Sequence, residues 1–128
     1  MRLLGIDYGK KRIGVALGEG GMVSPLLVLL NDGRVIEKIS SLCKQEKIDK
    51  IVIGMVSSLR GEIGEFARKL KEMIGLLVIF QDETLTTQKG IGRMIESRTS
   101  QKARRERIDA IAAAEILESY FSKGGENV

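Results

Sequence analysis

The sequence predicts an α/β domain built on a mixed five-stranded sheet in the order 3-2-1-4-5, with helices on both faces. Three observations predict it. The first thirty residues hold three apolar runs separated by short turns. Beyond them, apolar residues recur at helical spacing, in alternation with two short and continuously apolar runs. Right-handed crossovers then place the two later strands beside the first one rather than beside the third.

Each element has its own reason. Residues 2–7 and 12–18 read as strands joined by a tight basic turn. In the second, Ile13, Val15 and Leu17 alternate with Gly14, Ala16 and Gly18, which makes one face of small residues. Gly20-Gly21 turns the chain into a third strand, Val23 to Leu30, which Pro25 assigns to a sheet edge. After Asn31-Asp32-Gly33, the stripe Val35, Ile36, Ile39, Leu42 and Cys43 predicts a helix. Ile51 to Gly54 is a buried strand, and Ile63, Phe66, Ala67, Leu70, Met73 and Ile74 form the stripe of a second helix ending at Gly75. Leu76 to Phe80 reads as another buried strand leading into Gln81-Asp82-Glu83. A weak helix follows around Ile91 to Ile95, and a last one runs from about Ala103 to Phe121. The polar, basic stretch 97–106 is expected to become ordered on binding.

At 128 residues the whole chain, 1–128, is expected to be one domain with a core large enough to need no staples. There is no histidine and one cysteine, Cys43. That excludes histidine-assisted nucleophiles, an internal disulfide and ordinary zinc sites. A metal here would be held by oxygen, which favours magnesium or manganese. No apolar run reaches membrane-spanning length and the opening residues lack a signal-peptide pattern, so a cytoplasmic protein without a membrane partner is expected. The net charge is +4, but between Gln88 and Arg107 seven basic residues, among them Lys102, Arg104 and Arg105, face two acidic ones. Such a segment is either solvated surface or the electrostatic footprint of a nucleic acid.

Three acids converge in this fold. Asp7 closes the first strand and Asp82-Glu83 close the fifth, and these strands run parallel, so both ends open on one edge of the sheet. In the last helix Ile108, Ala112, Ala113, Ile116, Leu117 and Tyr120 share a face. Asp109 lies in the middle of that face, while Glu115 and Glu118 point away. Asp109 therefore has three open roles: a helix-start acid, a partner for a buried arginine, or a metal ligand beside Asp7 and Glu83. The last accounts for all three acids at once. Carboxylates around two magnesium ions suit phosphodiester hydrolysis.

Three stretches carry a family resemblance: Gly5-Ile6-Asp7-Tyr8-Gly9-Lys10-Lys11-Arg12-Ile13-Gly14-Val15-Ala16, Asp82-Glu83-Thr84-Leu85-Thr86-Thr87, and Ile108-Asp109-Ala110-Ile111-Ala112-Ala113. Together they resemble the YqgF/RuvX family, small bacterial proteins of the ribonuclease-H-like fold that are tied by name to pre-16S rRNA processing and to Holliday junction resolvases. The resemblance implies catalytic, metal-holding acids at Asp7, Glu83 and Asp109. It implies phosphate contacts at Lys11 and Arg12 and substrate-binding hydroxyls at Thr86 and Thr87. The chain departs from the pattern at Lys10, at Thr84 and across Met55 to Gly61. Strand four also ends at Gly54 with no acid, where RuvC-type resolvases are expected to carry a glutamate.

The expected function is thus a metal-dependent endonuclease, using magnesium or manganese, that acts on structured RNA and processes the 5′ end of pre-16S rRNA. Ribosomal precursor particles are the implied partners, and the protein is expected to be a monomer or weak homodimer. Two other readings stand beside it: a resolvase-like endonuclease for branched DNA, and a catalytically weak nucleic-acid-binding accessory factor. The aromatic residues sit mostly at core-like positions, which argues against single-strand recognition by base stacking.

Overall fold

A computed structural model describes residues 1–82 and 101–123, with the backbone alone for 101–107. The strands are β1 (Arg2–Asp7), β2 (Arg12–Glu19), β3 (Met22–Leu30), β4 (Lys50–Met55) and β5 (Leu77–Asp82). The helices are α1 (Val35–Gln45), α2 (Arg60–Ile74, entered through a 3-10 turn at Ser57–Leu59) and α3 (Gln101–Ser122). The sheet has the expected order, β3-β2-β1-β4-β5. β1, β2 and β3 are antiparallel neighbours, while β4 and β5 run parallel to β1.

Local chemistry fixes this meander. Glu19 pairs with Met22 across Gly20-Gly21, both of which have positive φ, 61° and 81°. That two-residue loop matches the right-handed twist of the flanking strands, and only glycine adopts it at both positions without strain. Pro25 lies on an edge strand as expected, and the β2–β3 register slips beside it, with Val15 opposite Leu27 but Ala16 opposite Pro25. The missing proline N–H is thereby accommodated at an irregularity rather than inside a regular ladder.

The sheet divides the core in two. On one face Leu4, Ile6, Ile13, Val15, Ile51 and Ile53 pack against Ile39 and Cys43 of α1 and Ile63, Phe66 and Leu70 of α2. On the other, Leu3, Ala16 and Val52 pack against Ala113, Ile116, Leu117 and Tyr120 of α3. The small-residue face of β2 is what admits α3. A Cβ built on Gly14 would lie 1.9 Å from the Asp109 carbonyl oxygen, and one on Gly5 would lie 2.6 Å from Leu117 Cγ.

Four expectations are corrected. β5 holds the edge position that the expected order gave it, but it was expected to be buried and Leu77 is 54% and Phe80 44% exposed. A continuous apolar run does not reveal whether a strand is covered on both faces. Phe80 is accordingly no core aromatic. Met73, expected in the buried stripe of α2, is exposed in the helix's last turn. Glu115 was expected to face solvent but is 6% exposed, as its neighbour Ala114 is 5%. α3 is therefore enclosed beyond its sheet-facing side, which helical periodicity cannot register. The helix also starts at Gln101, two residues before its expected start near Ala103.

Candidate active site

Asp7 is the last residue of β1 and Gly14 is its partner across the β1–β2 ladder. Because Gly14 has no side chain, the backbone of α3 comes to rest on it at Asp109. Asp7 and Asp109 thus meet at the carboxyl edge of β1, on the α3 face of the sheet. Asp7 is half-buried there and engaged in a polar contact, and Asp109 is half-buried as well. The register continues the row. Ile6 pairs with Ile53, so Asp7 stands beside Gly54, and Gly54 pairs with Gln81. The neighbouring strand therefore offers a hydrogen atom where a side chain would crowd Asp7. Gln81, two strands over, is buried in the same row.

Asp109 pairs with an arginine, as one of its three open roles had it, although Arg12 is only partly buried: Arg12 Nε donates a hydrogen bond to its Oδ2 at 2.9 Å. Arg12 opens β2 and sits on the α3 face by strand alternation, as Gly14 does. The pair joins residues 97 positions apart. Lys11 is exposed in the turn just before.

That basic turn is braced by a residue which sequence reasoning treated only as punctuation. Asn31 donates its backbone N–H to the Lys11 carbonyl at 2.9 Å and its side-chain amide to the Gly9 carbonyl at 2.8 Å. Both bonds hold the 8–11 loop against the end of β3. The sequence signal was present, since asparagine side chains satisfy turn backbones, but its target lies far away in the chain.

The remaining acids, hydroxyls and basic residues separate into three groups. Asp82 is at the same sheet edge as Asp7 but alternates to the opposite face and is exposed. Glu83, Thr86 and Thr87 lie outside the described residues. Lys102, Arg104 and Arg105 belong to the first turns of α3, which begins eight residues before Asp109, roughly 12 Å along the axis. Among the described residues no three potential metal ligands cluster. A cleft of about 540 Å³ opens on the other side of the sheet, between Tyr8, Asn31, Gly61, Glu62 and Lys69, away from both aspartates. Among the described residues no helix is long and apolar enough to cross a membrane.

A mixed sheet of this order, with an acid closing its central strand and another on the helix packed across it, defines a ribonuclease-H-like α/β domain. RuvC of T. thermophilus in complex with a Holliday junction substrate has the same fold, with a TM-score of 0.61 over 98% of this chain and 97% of that one at 13% identity. The chain belongs to the RuvX family, whose model, described as a Holliday junction resolvase, matches residues 1–123. It is similar to a protein of Sulfurihydrogenibium sp. strain YO3AOP1, 41% identical over 95% of this chain and 90% of the relative. It is also similar to one of Syntrophomonas wolfei, 34% identical over 97% and 96%. Both relatives bear the name "Putative pre-16S rRNA nuclease".

Proposed function

We propose that this chain is a magnesium- or manganese-dependent endonuclease that cleaves structured RNA and processes the 5′ end of pre-16S rRNA. The observation that carries this reading is the meeting of Asp7 and Asp109 on one face at one edge of the sheet, through Gly14. Membership of the RuvX family and the name borne by the relatives supply the substrate.

The donor chemistry fits a hard cation. Asp7 and Asp109 offer carboxylate oxygens, the chain has no imidazole, and its one thiol, Cys43, is buried on the other side of the sheet. Oxygen donors of this kind suit magnesium or manganese over zinc. Asp7 and Asp109 would hold the metal, with Glu83 as the third ligand by its position one residue past β5. Bound there, the metal would lower the pKa of an attacking water and offset charge on the leaving oxygen. The chain's own residues do the rest. Lys11 and Arg12 in the braced turn bind the phosphate beside the acids, with Thr86 and Thr87 as hydroxyl donors. Lys102, Arg104 and Arg105, at the start of α3, follow the backbone electrostatically. The protein acts in the cytoplasm on ribosomal precursor particles, as a monomer or weak homodimer.

The test is cleavage of a pre-16S rRNA fragment, a four-way DNA junction and single strands, each with magnesium, manganese or chelator, with Asp7→Asn in parallel. Metal-dependent cutting of the rRNA fragment, lost in Asp7→Asn, is the expected result. Cutting that survives chelator would refute the metal role. Cutting of the junction alone would make the protein a branched-DNA endonuclease. Binding without cutting would make it an accessory factor.

A further inference from the structure

Arg12 and Asp109 are both needed by that reading, yet the structure commits them to each other. The guanidinium offsets the charge that the Asp109 carboxylate could offer a cation, occupies one of its acceptor sites, and itself repels a divalent ion. The Arg12–Asp109 bond is thus opposed to metal loading. It is also poorly sealed. The side chains are 32% and 23% exposed. The contact among the described residues is single, Nε to Oδ2, rather than the two-pronged fork of a tight arginine–carboxylate pair. Each side chain keeps a part open to solvent, so a backbone phosphate with two non-bridging acceptor oxygens can compete for the guanidinium.

We infer that Arg12 is an exchangeable positioning residue that caps Asp109 before substrate arrives and leaves it for the substrate phosphate, releasing the carboxylate to the metal. The inference rests on the metal-nuclease reading above. Its geometry comes from β2: Arg12 is the first residue of the strand, with its backbone anchored through the braced turn. A partner change therefore needs only side-chain rotation, because the main chain holds the guanidinium within reach of the edge. No bond is made or broken other than these hydrogen bonds. The consequence is reciprocal coupling. If phosphate binding promotes metal binding, metal at Asp109 promotes phosphate binding by the same factor. Stray cations load weakly while the site is empty of nucleic acid, and the chemistry is armed only where a phosphate is present.

The experiment titrates the full chain with manganese by calorimetry in the absence of nucleic acid. The proteins are wild type, Asp7→Asn, Arg12→Gln, Asp109→Asn and the Arg12→Gln/Asp109→Asn double variant, with thermal melts confirming folding. Arg12→Met replaces Arg12→Gln if the latter does not fold. Arg12→Gln is expected to bind manganese severalfold more tightly than wild type, and the gain is expected to vanish in the Asp109→Asn background. In chelator, the salt dependence of binding to an RNA hairpin should lose about one unit of slope in Arg12→Gln, as for one lost phosphate contact. Unchanged or weaker manganese binding by Arg12→Gln overturns the exchange. So does a gain that persists without the Asp109 carboxylate, since that would be a field effect on the other acids. An unchanged salt slope overturns the phosphate half. Failure of the underlying reading looks different: manganese would then bind neither wild type nor Arg12→Gln, or would bind with no sensitivity to Asp7→Asn.

Discussion

At the amino edge of the sheet Arg2 is locked on every side, whereas at the carboxyl edge Arg12, one strand over, has Asp109 as its acidic partner among the described residues. The Arg2 guanidinium donates to Glu19 at 2.9 Å, to the Glu46 carboxylate at 2.9 Å and to the Glu46 carbonyl. Its backbone N–H donates to Asp49 Oδ2 at 2.7 Å, and its carbonyl accepts from the Asp49 N–H at 2.8 Å. These bonds tie β1 to β2, to the end of α1 and to the approach to β4. Among the described residues Arg12 makes one side-chain bond, to a helix from the far end of the sequence. A guanidinium whose three nitrogens all face fixed partners is a fastener. One with a single such partner among the described residues has more freedom to change it, and that difference separates the two edges.

Substitutions can break the contrast in order of effect. Asp109→Asn should reduce cleavage by at least about 100-fold, because even residues behind metal ligands cost 10–100-fold. Urea unfolding should show its stability nearly unchanged, since a half-exposed ion pair is worth about 0–1 kcal/mol. Equal loss of stability and activity would make Asp109 structural, as Arg2 is.

Gly14→Ala should impair both properties. Its Cβ meets backbone, which cannot rotate away, so α3 must shift at Asp109. Overpacking of this kind costs about 1–3 kcal/mol. Cleavage measured per folded molecule should also fall. Full activity with normal stability would show that α3 is not seated on Gly14.

Arg2→Ala should lower stability by about 1–2 kcal/mol through its lost charge-assisted bonds, discounted for partial exposure. Turnover per folded molecule should stay at the wild-type level. A selective loss of turnover would erase the distinction between the edges.

The smallest effect is at Cys43, whose carbonyl accepts from Ile48 N–H beside the Arg2 cluster. Burial pushes its thiol up to about 11, so almost no thiolate exists at neutral pH and alkylation must await local opening. Labelling should be slow in wild type and faster in Arg2→Ala. It should stay slow in Arg12→Gln, which leaves the amino edge intact. Fast labelling in all three would place Cys43 in contact with solvent.

Much of this was legible in the sequence. The alternation of Ile13, Val15 and Leu17 with Gly14, Ala16 and Gly18 already separated the two faces of β2. Asp109 announced itself by standing on an apolar helix face. What could not be read were relations across distance. Periodicity states which side of an element is apolar but not what covers it, so the exposure of β5 and the burial of Glu115 were both missed. The pairing of Asp109 with Arg12 could not be read either, because their proximity is a property of the folded sheet. Asn31 was missed for the same reason: its type suits a turn, and which turn it braces is decided by the β2–β3 pairing.

The seat of α3 on β2 also bears on how this domain tolerates change. Every substitution at position 14 adds atoms, and the nearest obstacle is main chain. At Gly18 the obstacles are the side chains of Leu117 and Phe121, 3.2 Å from a built Cβ and able to yield. A library of random variants screened for function should therefore admit residues at 18 sooner than at 14. The placement of Asp109 is specified by the smallest side chain in the genetic code, so it can be lost by mutation at a residue with no functional group.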